Sequence, residues 1–328
     1  MERVVAITVT YNRTRTLERC LSALLNQSRK LDDIIIVDNN SNLNEKKKII
    51  ELTEKLNFVH VLWLDKNLGG AGGFEAGMAE CLRSYHADWY WIMDDDAYPR
   101  EDCLEKLLKA KGSLPEAAGY LAPLIFGVDL NEYQFYHHKR LSRIIYKNRP
   151  VGKTYGELEE LTEIDANAFV GPLISSKAVK SVGIADGSLF IYGDDTEYTF
   201  RVSRKMKSYL VKDAVIDHQD PPVSNNYLDA AAWWKDYYCY RNQYFMIRKF
   251  HNSRLVKAAA YAILTFKIMI FVFLAFFKIR WGKLLQLRIG LYLKAVKDGL
   301  CNRRGKRVDP AAYSQRLNEL RNKNTAKN

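Results

Sequence analysis

Trp89-Tyr90-Trp91-Ile92-Met93-Asp94-Asp95-Asp96 joins five apolar residues directly to three carboxylates. A short apolar run without polar alternation fits a strand buried on both faces, as in a parallel sheet covered by helices. Three adjacent carboxylates at its end repel one another unless a cation neutralises them. On an extended chain alternate residues point the same way, so Asp94 and Asp96 can share one divalent ion while Asp95 faces elsewhere. Hard oxygen ligands suit Mn2+ or Mg2+, ions that also hold diphosphates. A solvated acidic turn capping the helix that starts near Pro99 accounts for the same residues.

The sequence before this stretch alternates strand and helix patterns. Residues 3–10, 34–37 and 58–64 read as strands, and residues 16–27 and 44–56 as helices, with Leu17, Leu21, Leu24 and Leu25 at helical spacing. Asn67-Leu68-Gly69-Gly70-Ala71-Gly72-Gly73-Phe74 then reads as a glycine-rich turn before a helix over 75–85. It fits G-x-G-x-x-G in no register, and a phosphate cradle at a helix N-terminus stands beside a plain tight turn. The alternation predicts an α/β domain with a parallel sheet and a ligand at the C-terminal ends of its strands.

After residue 115 the pattern is less regular. Strands are expected over 163–170 and 208–216, and short helices over 175–181 and from about Asp195 to Lys205. In Phe190-Ile191-Tyr192-Gly193-Asp194-Asp195-Thr196-Glu197-Tyr198 acidic groups follow an apolar run. They serve equally as helix caps or as a general base for an acceptor hydroxyl. His218 ends a strand, where a structural role and a third metal ligand both fit. Asp38, in Ile36-Val37-Asp38-Asn39-Asn40-Ser41, can bond a nucleobase or ribose, or start a turn.

The chain has 328 residues, 48% hydrophobic and 27% charged, which excludes a disordered protein. Its five scattered cysteines form no C-x-x-C, so neither a disulfide framework nor a thiolate zinc site is expected, and a reducing cytoplasm suits them. No secretory leader is visible before the first strand. The net charge of +12 is uneven: residues 241–328 carry 20 basic and 3 acidic groups, and the rest 30 and 35. Such a basic end calls for a polyanion, an anionic bilayer or nucleic acid. Its basic residues surround an apolar run over 258–277, broken only by Thr265 and Lys267, and form no base-reading motif, so no nucleic acid is expected. A helix there can span, lie in the interface or be buried; Lys267 at its centre and basic flanks on both sides (Arg280 among them) favour the interface.

Taken in order, these segments over residues 1–220 resemble family 2 glycosyltransferases of the GT-A (Rossmann-like) fold. Thr8-Val9-Thr10-Tyr11-Asn12-Arg13 resembles the family's opening nucleotide-binding strand, Asp94-Asp95-Asp96 its D-x-D metal motif, and Asp194-Asp195-Thr196-Glu197-Tyr198 its base segment. The glycine-rich segment followed by Met93-Asp94-Asp95-Asp96 is most similar to bacterial galactofuranosyltransferases, with rhamnosyltransferases next. The resemblance implies a catalytic domain over 1–226, and composition gives a helical, basic, membrane-associating region over 227–328. It implies an inverting transferase with Mn2+ or Mg2+ on Asp94, Asp96 and His218, and with Asp195 as base. The donor, UDP-galactofuranose, would be held by Thr10, Tyr11, Arg13, Asp38, Asn67, Gly70 and Asp95. The acceptor would be a lipid-linked glycan of bacterial surface polysaccharide synthesis, at the cytoplasmic face of the plasma membrane. A dTDP-rhamnose-dependent enzyme and a non-catalytic, membrane-bound glycan-binding scaffold are the alternatives; a homo-oligomer is left open. Between Gly127 and Leu161 the resemblance weakens, and acceptor identity is not carried over.

Overall fold

A computed structural model describes residues 2–114, 117–219, 229–279 and 282–325, with side chains to 321. Pro221-Pro222, the expected domain boundary at 226/227, Arg280 and the last three residues lie outside the described residues. The chain divides into two compact units. The first comprises Met1–Leu141, Asn148–Gly187 and Asp194–Pro221, and the second Ser142–Lys147, Ser188–Gly193 and Pro222–Asn328.

The first unit opens with β1 (Val4–Thr10), α1 (Thr14–Leu25), β2 (Asp33–Asp38), α2 (Leu43–Thr53), β3 (Val59–Trp63), α3 (Gly69–Ser84) and β4 (Trp89–Asp94). Then follow β5 (Ala97–Pro99), α4 (Cys103–Lys111), β6 (Tyr120–Gly127), β7 (His138–Leu141) and β8 (Asn148–Pro150). β9 (Leu161–Glu163), β10 (Ala166–Asn167), β11 (Val170–Ser175), α5 (Ser176–Val182), α6 (Asp194–Ser203) and β12 (Tyr209–His218) complete it. The main sheet runs β3-β2-β1-β4-β11-β6-β12-β5, with β9 on β12; β10-β7-β8 form a second, small sheet. β1 to β4 are mutually parallel as expected, but β11 is antiparallel to both β4 and β6, so the sheet is mixed. The strand expected over 163–170 is broken into β9, β10 and the start of β11. Each pairs with a different partner: β9 with β12, β10 with β7, β11 with β4 and β6.

Successive residues of β1 face opposite sides of the sheet. Val4 and Ala6 pack with Leu17, Leu21 and Leu24 of α1, whereas Val5, Ile7 and Val9 pack with Phe74 and Met78 of α3. One element differs from expectation. The glycines of 67–73 do not form a turn: α3 begins at Gly69 and includes them. Close packing explains this, since a Cβ on Gly73 would stand 2.5 Å from a Val9 methyl, and one on Gly77 2.7 Å from Ile7. Glycine lets the helix lie directly on β1.

The second unit contains α7 (Trp233–Phe250), α8 (Arg254–Lys278), α9 (Lys283–Leu300) and α10 (Pro310–Thr325). Its core joins Trp233, Tyr237 and Tyr238 of α7 to Leu287, Leu291 and Ala295 of α9 and Tyr313 and Leu317 of α10. Arg241 and Asn242, both buried, hold the segment Ser188–Gly193: Arg241 donates to the Leu189 carbonyl at 2.7 Å, and the Asn242 amide to Ile191 and Tyr192 carbonyls at 3.0 and 2.6 Å. In that segment Phe190 and Tyr192 have φ of 69° and 61°. Left-handed conformations at bulky residues persist only where surrounding bonds fix them. α8 is long and apolar enough to cross a membrane by length and composition.

Candidate active site

β1 lies between β2 and β4 in the sheet, so consecutive connections leave it in opposite directions, and a crevice opens at the strand ends there. Thr10 and Asp38 face each other in register at the ends of β1 and β2, and Asp94 ends β4. Asp95 and Asp96 form the tight turn from β4 into β5. Asp95 turns inward: it accepts a 2.7 Å hydrogen bond from the Thr10 hydroxyl and pairs with Arg13 at 3.1 Å. Burial pushes its carboxyl up to about 7, against the opposing pull of Arg13 and Thr10.

Asp96 meets His218 because β5 pairs antiparallel with β12, with Ala97 opposite His218. His218 Nε2 lies 3.4 Å from Asp96 Oδ1, and Arg13 Nη2 lies 2.6 Å from Asp96 Oδ2. Burial works against ionising Asp96, but His218 and Arg13 more than offset it and hold its carboxyl at about 2. His218 Nδ1 faces the Gln134 side-chain oxygen at 3.1 Å. With Nδ1 turned to that acceptor, Nε2 faces the carboxylate: a protonated ring forms an ion pair with Asp96, and a neutral ring leaves Nε2 and Oδ1 side by side as two ligand atoms for a cation. Two ligands at right angles, each about 2.1 Å from one hard cation, stand about 3 Å apart, so this pair suits Mn2+ or Mg2+.

The expected third ligand is not gathered with them. Among the described residues no three His, Cys, Asp or Glu side chains come together as a metal cage. The alternation that would align Asp94 with Asp96 requires extended chain, and the turn at Asp95-Asp96 interrupts it. Asp94 is instead held well above the usual carboxylate range by burial and by the charges of Asp96, Asp95, Asp194 and Asp195. A pair of protein ligands is a common arrangement for an ion that completes its shell with water and substrate phosphate.

α6 presents Asp194 and Asp195 in its first turn. Asp194 is buried, and burial with the neighbouring Asp195 charge raises its carboxyl to about 7. Asp195 keeps 22% of its side chain exposed. Its Oδ1 accepts from the Thr196 hydroxyl at 3.0 Å, and its Oδ2 from Lys139 Nζ at 3.2 Å. The helix start therefore keeps one carboxylate partly exposed beside Lys139 and its neighbour buried behind it.

The other expected nucleotide-binding residues are spread around the strand ends. Asp38 is fully buried and accepts from the Ser41 N–H at 3.1 Å, so in this state its carboxylate shapes the loop after β2. Asn67 Oδ1 accepts from the Gly69 N–H, which starts α3. Tyr11 is exposed, and a Cβ on Gly70 would meet nothing within 4 Å, so this first turn of α3 is open on that side. Sequence reasoning missed Asn39, which bonds both the Leu68 N–H and the Gly69 carbonyl, and also Gln134 and Lys139. Asn39 adjoined the quoted Asp38; the other two lie in the stretch where resemblance is weakest and carry no spacing signal.

The profile described as Glycosyl transferase family 2 matches residues 5–183, more than half of the chain. The galactofuranosyltransferase GlfT1 of Mycolicibacterium smegmatis is 29% identical over 205 residues, 62% of this chain and 66% of that protein. GlfT1 of Mycobacterium tuberculosis is 30% identical over 206 residues, 62% of this chain and 65% of that protein. The match thus spans just under two thirds of these relatives' length. Among solved structures, the mannosyltransferase PcManGT of Pyrobaculum calidifontis, in complex with GDP-Man and Mn2+, gives a TM-score of 0.56 at 13% identity, covering 92% of this chain and 88% of its own. S. aureus TarS 1-349 in complex with UDP gives 0.53 at 16% identity, covering 90% and 81%. At such identities these likenesses bear on the fold alone, and they agree with the expected GT-A architecture. With the profile match covering the nucleotide-side strands and the D-x-D turn, the chain belongs to glycosyl transferase family 2.

Proposed function

We infer that this protein transfers galactofuranose from UDP-galactofuranose, with inversion, to a hydroxyl of a lipid-linked glycan in bacterial surface polysaccharide synthesis. The observation that carries the chemistry is the division of labour among the site's carboxylates: Asp96 paired with His218 on one side, Asp195 paired with Lys139 and partly exposed on the other. The choice of donor sugar rests on the similarity to the two GlfT1 proteins.

Asp96 and His218 would hold Mn2+ or Mg2+, with Asp94 behind them. A bound divalent ion supplies charge stabilisation for a departing diphosphate. Arg13, already beside Asp95 and Asp96, offers a guanidinium to the same phosphates. Thr10 fixes Asp95, which in turn fixes Arg13. Asp195 Oδ2 takes the proton of the acceptor hydroxyl as that oxygen bonds to the anomeric carbon and the bond from carbon to the diphosphate oxygen breaks. A single displacement of this kind inverts the anomeric centre. Tyr11, Asp38, Asn67 and Gly70 line the nucleotide side. The active cleft would work at the cytoplasmic face of the membrane, where α8 and the basic residues around it meet anionic lipid.

Purified protein, Mn2+ and a panel of nucleotide sugars test this reading through release of nucleoside diphosphate. UDP-galactofuranose is expected to turn over fastest, with UDP inhibiting more strongly than dTDP. Preferential inhibition by dTDP would transfer the assignment to a rhamnosyltransferase, and no turnover of any donor would favour a glycan-binding scaffold.

A further inference from the structure

Lys139 is a buried lysine beside the carboxylate read above as the base. Its side chain is only 9% exposed. Such an ammonium is costly to bury unless it is paired and hydrogen-bonded. Its Nζ donates to Asp195 Oδ2 at 3.2 Å and to the Thr196 hydroxyl at 2.6 Å, and that hydroxyl donates onward to Asp195 Oδ1 at 3.0 Å. One cation thus reaches both oxygens of Asp195, directly and through Thr196. The preceding His138 adds no charge: burial lowers it to about 4 despite its bond to Asn167.

The backbone around this contact is tied to the same helix. β7 pairs with β10, with Lys139 opposite Ala166 and His138 opposite Asn167. The Thr199 hydroxyl, one turn along α6, accepts from the Asn167 N–H at 3.0 Å and donates to the Asp195 carbonyl at 2.6 Å. The small sheet and the first turn of α6 therefore form one hydrogen-bonded body. Without Lys139, Asp195 Oδ1 would keep its bond from the Thr196 N–H, while Oδ2 would lose the ammonium and be left with the like charges of Asp94 and Asp194.

We propose that Lys139 is a positioning residue for transfer, clamping the Asp195 carboxylate through a Lys139–Thr196–Asp195 ring so that one Oδ2 lone pair stays aimed at the acceptor hydroxyl. This rests on Asp195 being the base, and the test separates the two claims. Lys139→Met, Lys139→Arg, Asp195→Asn and the double variant Lys139→Met/Asp195→Asn are compared by thermal denaturation. They are also compared by UDP release from UDP-galactofuranose with Mn2+, with and without octyl galactofuranoside. Lys139→Met is expected to lower kcat about tenfold or more, with the donor KM within about twofold of the parent, and Lys139→Arg to recover part of that loss. Lys139→Met and Asp195→Asn should each lower Tm, and the double variant by less than their sum. Parental kcat in Lys139→Met, a loss confined to donor KM, or additive Tm shifts would each overturn the clamp. A fully active Asp195→Asn would instead overturn the base. Should no chosen substrate turn over even with the parent protein, the Tm cycle decides.

Discussion

Asp194 and Asp195 are adjacent in sequence and opposite in environment, which makes the base assignment testable one residue at a time. Asp195→Asn is expected to fold and bind donor but to lose transfer by at least about a hundredfold, the low end for removing a general base. Asp194→Asn should be milder, because its carboxyl, raised to about 7 by burial and by Asp195, already carries a proton over much of the neutral range. A more damaging Asp194→Asn would put the base one residue earlier. The same group makes a stability prediction. Its folded pKa lies above the unfolded value, so its stabilising contribution is complete below about pH 4 and is lost as pH rises toward 7. Asp194→Asn, in EDTA, should therefore raise Tm relative to the parent more at pH 8 than at pH 5; equal shifts at both would contradict it. On the metal side, Asp96→Ala and His218→Ala should each weaken Mn2+-dependent UDP binding in calorimetry, and undiminished turnover in excess EDTA would remove the ion from the mechanism. Asp38, Asp94 and Asp195 were legible as candidates because each carboxylate ends a strand or opens a helix. The finer arrangement was not: that Asp96 joins His218 depends on β5 pairing with β12, a contact 121 residues apart in sequence that no local pattern encodes.

At the scale of elements, the sequence was most readable where burial is two-sided. Ile34-Ile35-Ile36-Val37 and Trp89-Tyr90-Trp91-Ile92-Met93 are strands with no polar interruption, and both form as expected. It was least readable where packing overrode local propensity, as in α3. Glycine-rich segments normally read as turns because glycine costs about 1 kcal/mol per residue inside a helix. Here the helix gains by approaching β1 more closely than any side chain permits. Gly77→Ala tests this in an informative direction. On an isolated helix the change should stabilise, but a new Cβ would stand 2.7 Å from an Ile7 methyl and 2.9 Å from a Val37 methyl. Both neighbours are stiff, β-branched and fully buried, so overpacking should dominate and destabilise by about 1–3 kcal/mol in urea unfolding. Because β1 carries Thr10 at its end, UDP binding should weaken as well. A variant more stable than the parent would mean that α3 does not press on β1 in solution. The segment broken into β9, β10 and β11 was illegible for another reason: each piece is too short for a period to declare itself.

At the scale of the whole molecule, the acidic site and the basic end belong to different parts of the chain, and α8 shows what the basic end is suited to meet. Its two interrupting polar groups both turn away from the open face: the Thr265 hydroxyl bonds Tyr244 at 2.7 Å, and Lys267 Nζ sits 5.8 Å from the centre of the Tyr240 ring. Ala260, Leu264, Ile268 and Ala275 are buried. On the other side Leu255, Ile263, Phe266, Ile270, Phe273 and Phe277 follow one another at spacings of eight, three, four, three and four residues, with Phe266 69% and Phe277 72% exposed. This one-sided arrangement removes the chief objection to lipid contact, a lysine in the apolar run. It also argues against a free-standing span, which would need an apolar surface all round. The basic flanks Arg254, Lys257, Lys278 and Lys283 can add roughly 1 kcal/mol each against anionic headgroups at low salt. The expected behaviour is therefore peripheral: the intact protein floats with phosphatidylglycerol vesicles at low ionic strength, floats less at high salt, and floats little with neutral vesicles. Phe266→Ser/Phe273→Ser should weaken flotation while leaving soluble-donor hydrolysis unchanged, since neither residue belongs to the active site. Absence of flotation with anionic vesicles at low salt would mean that another surface covers this face. Release only by detergent would mean that α8 inserts fully.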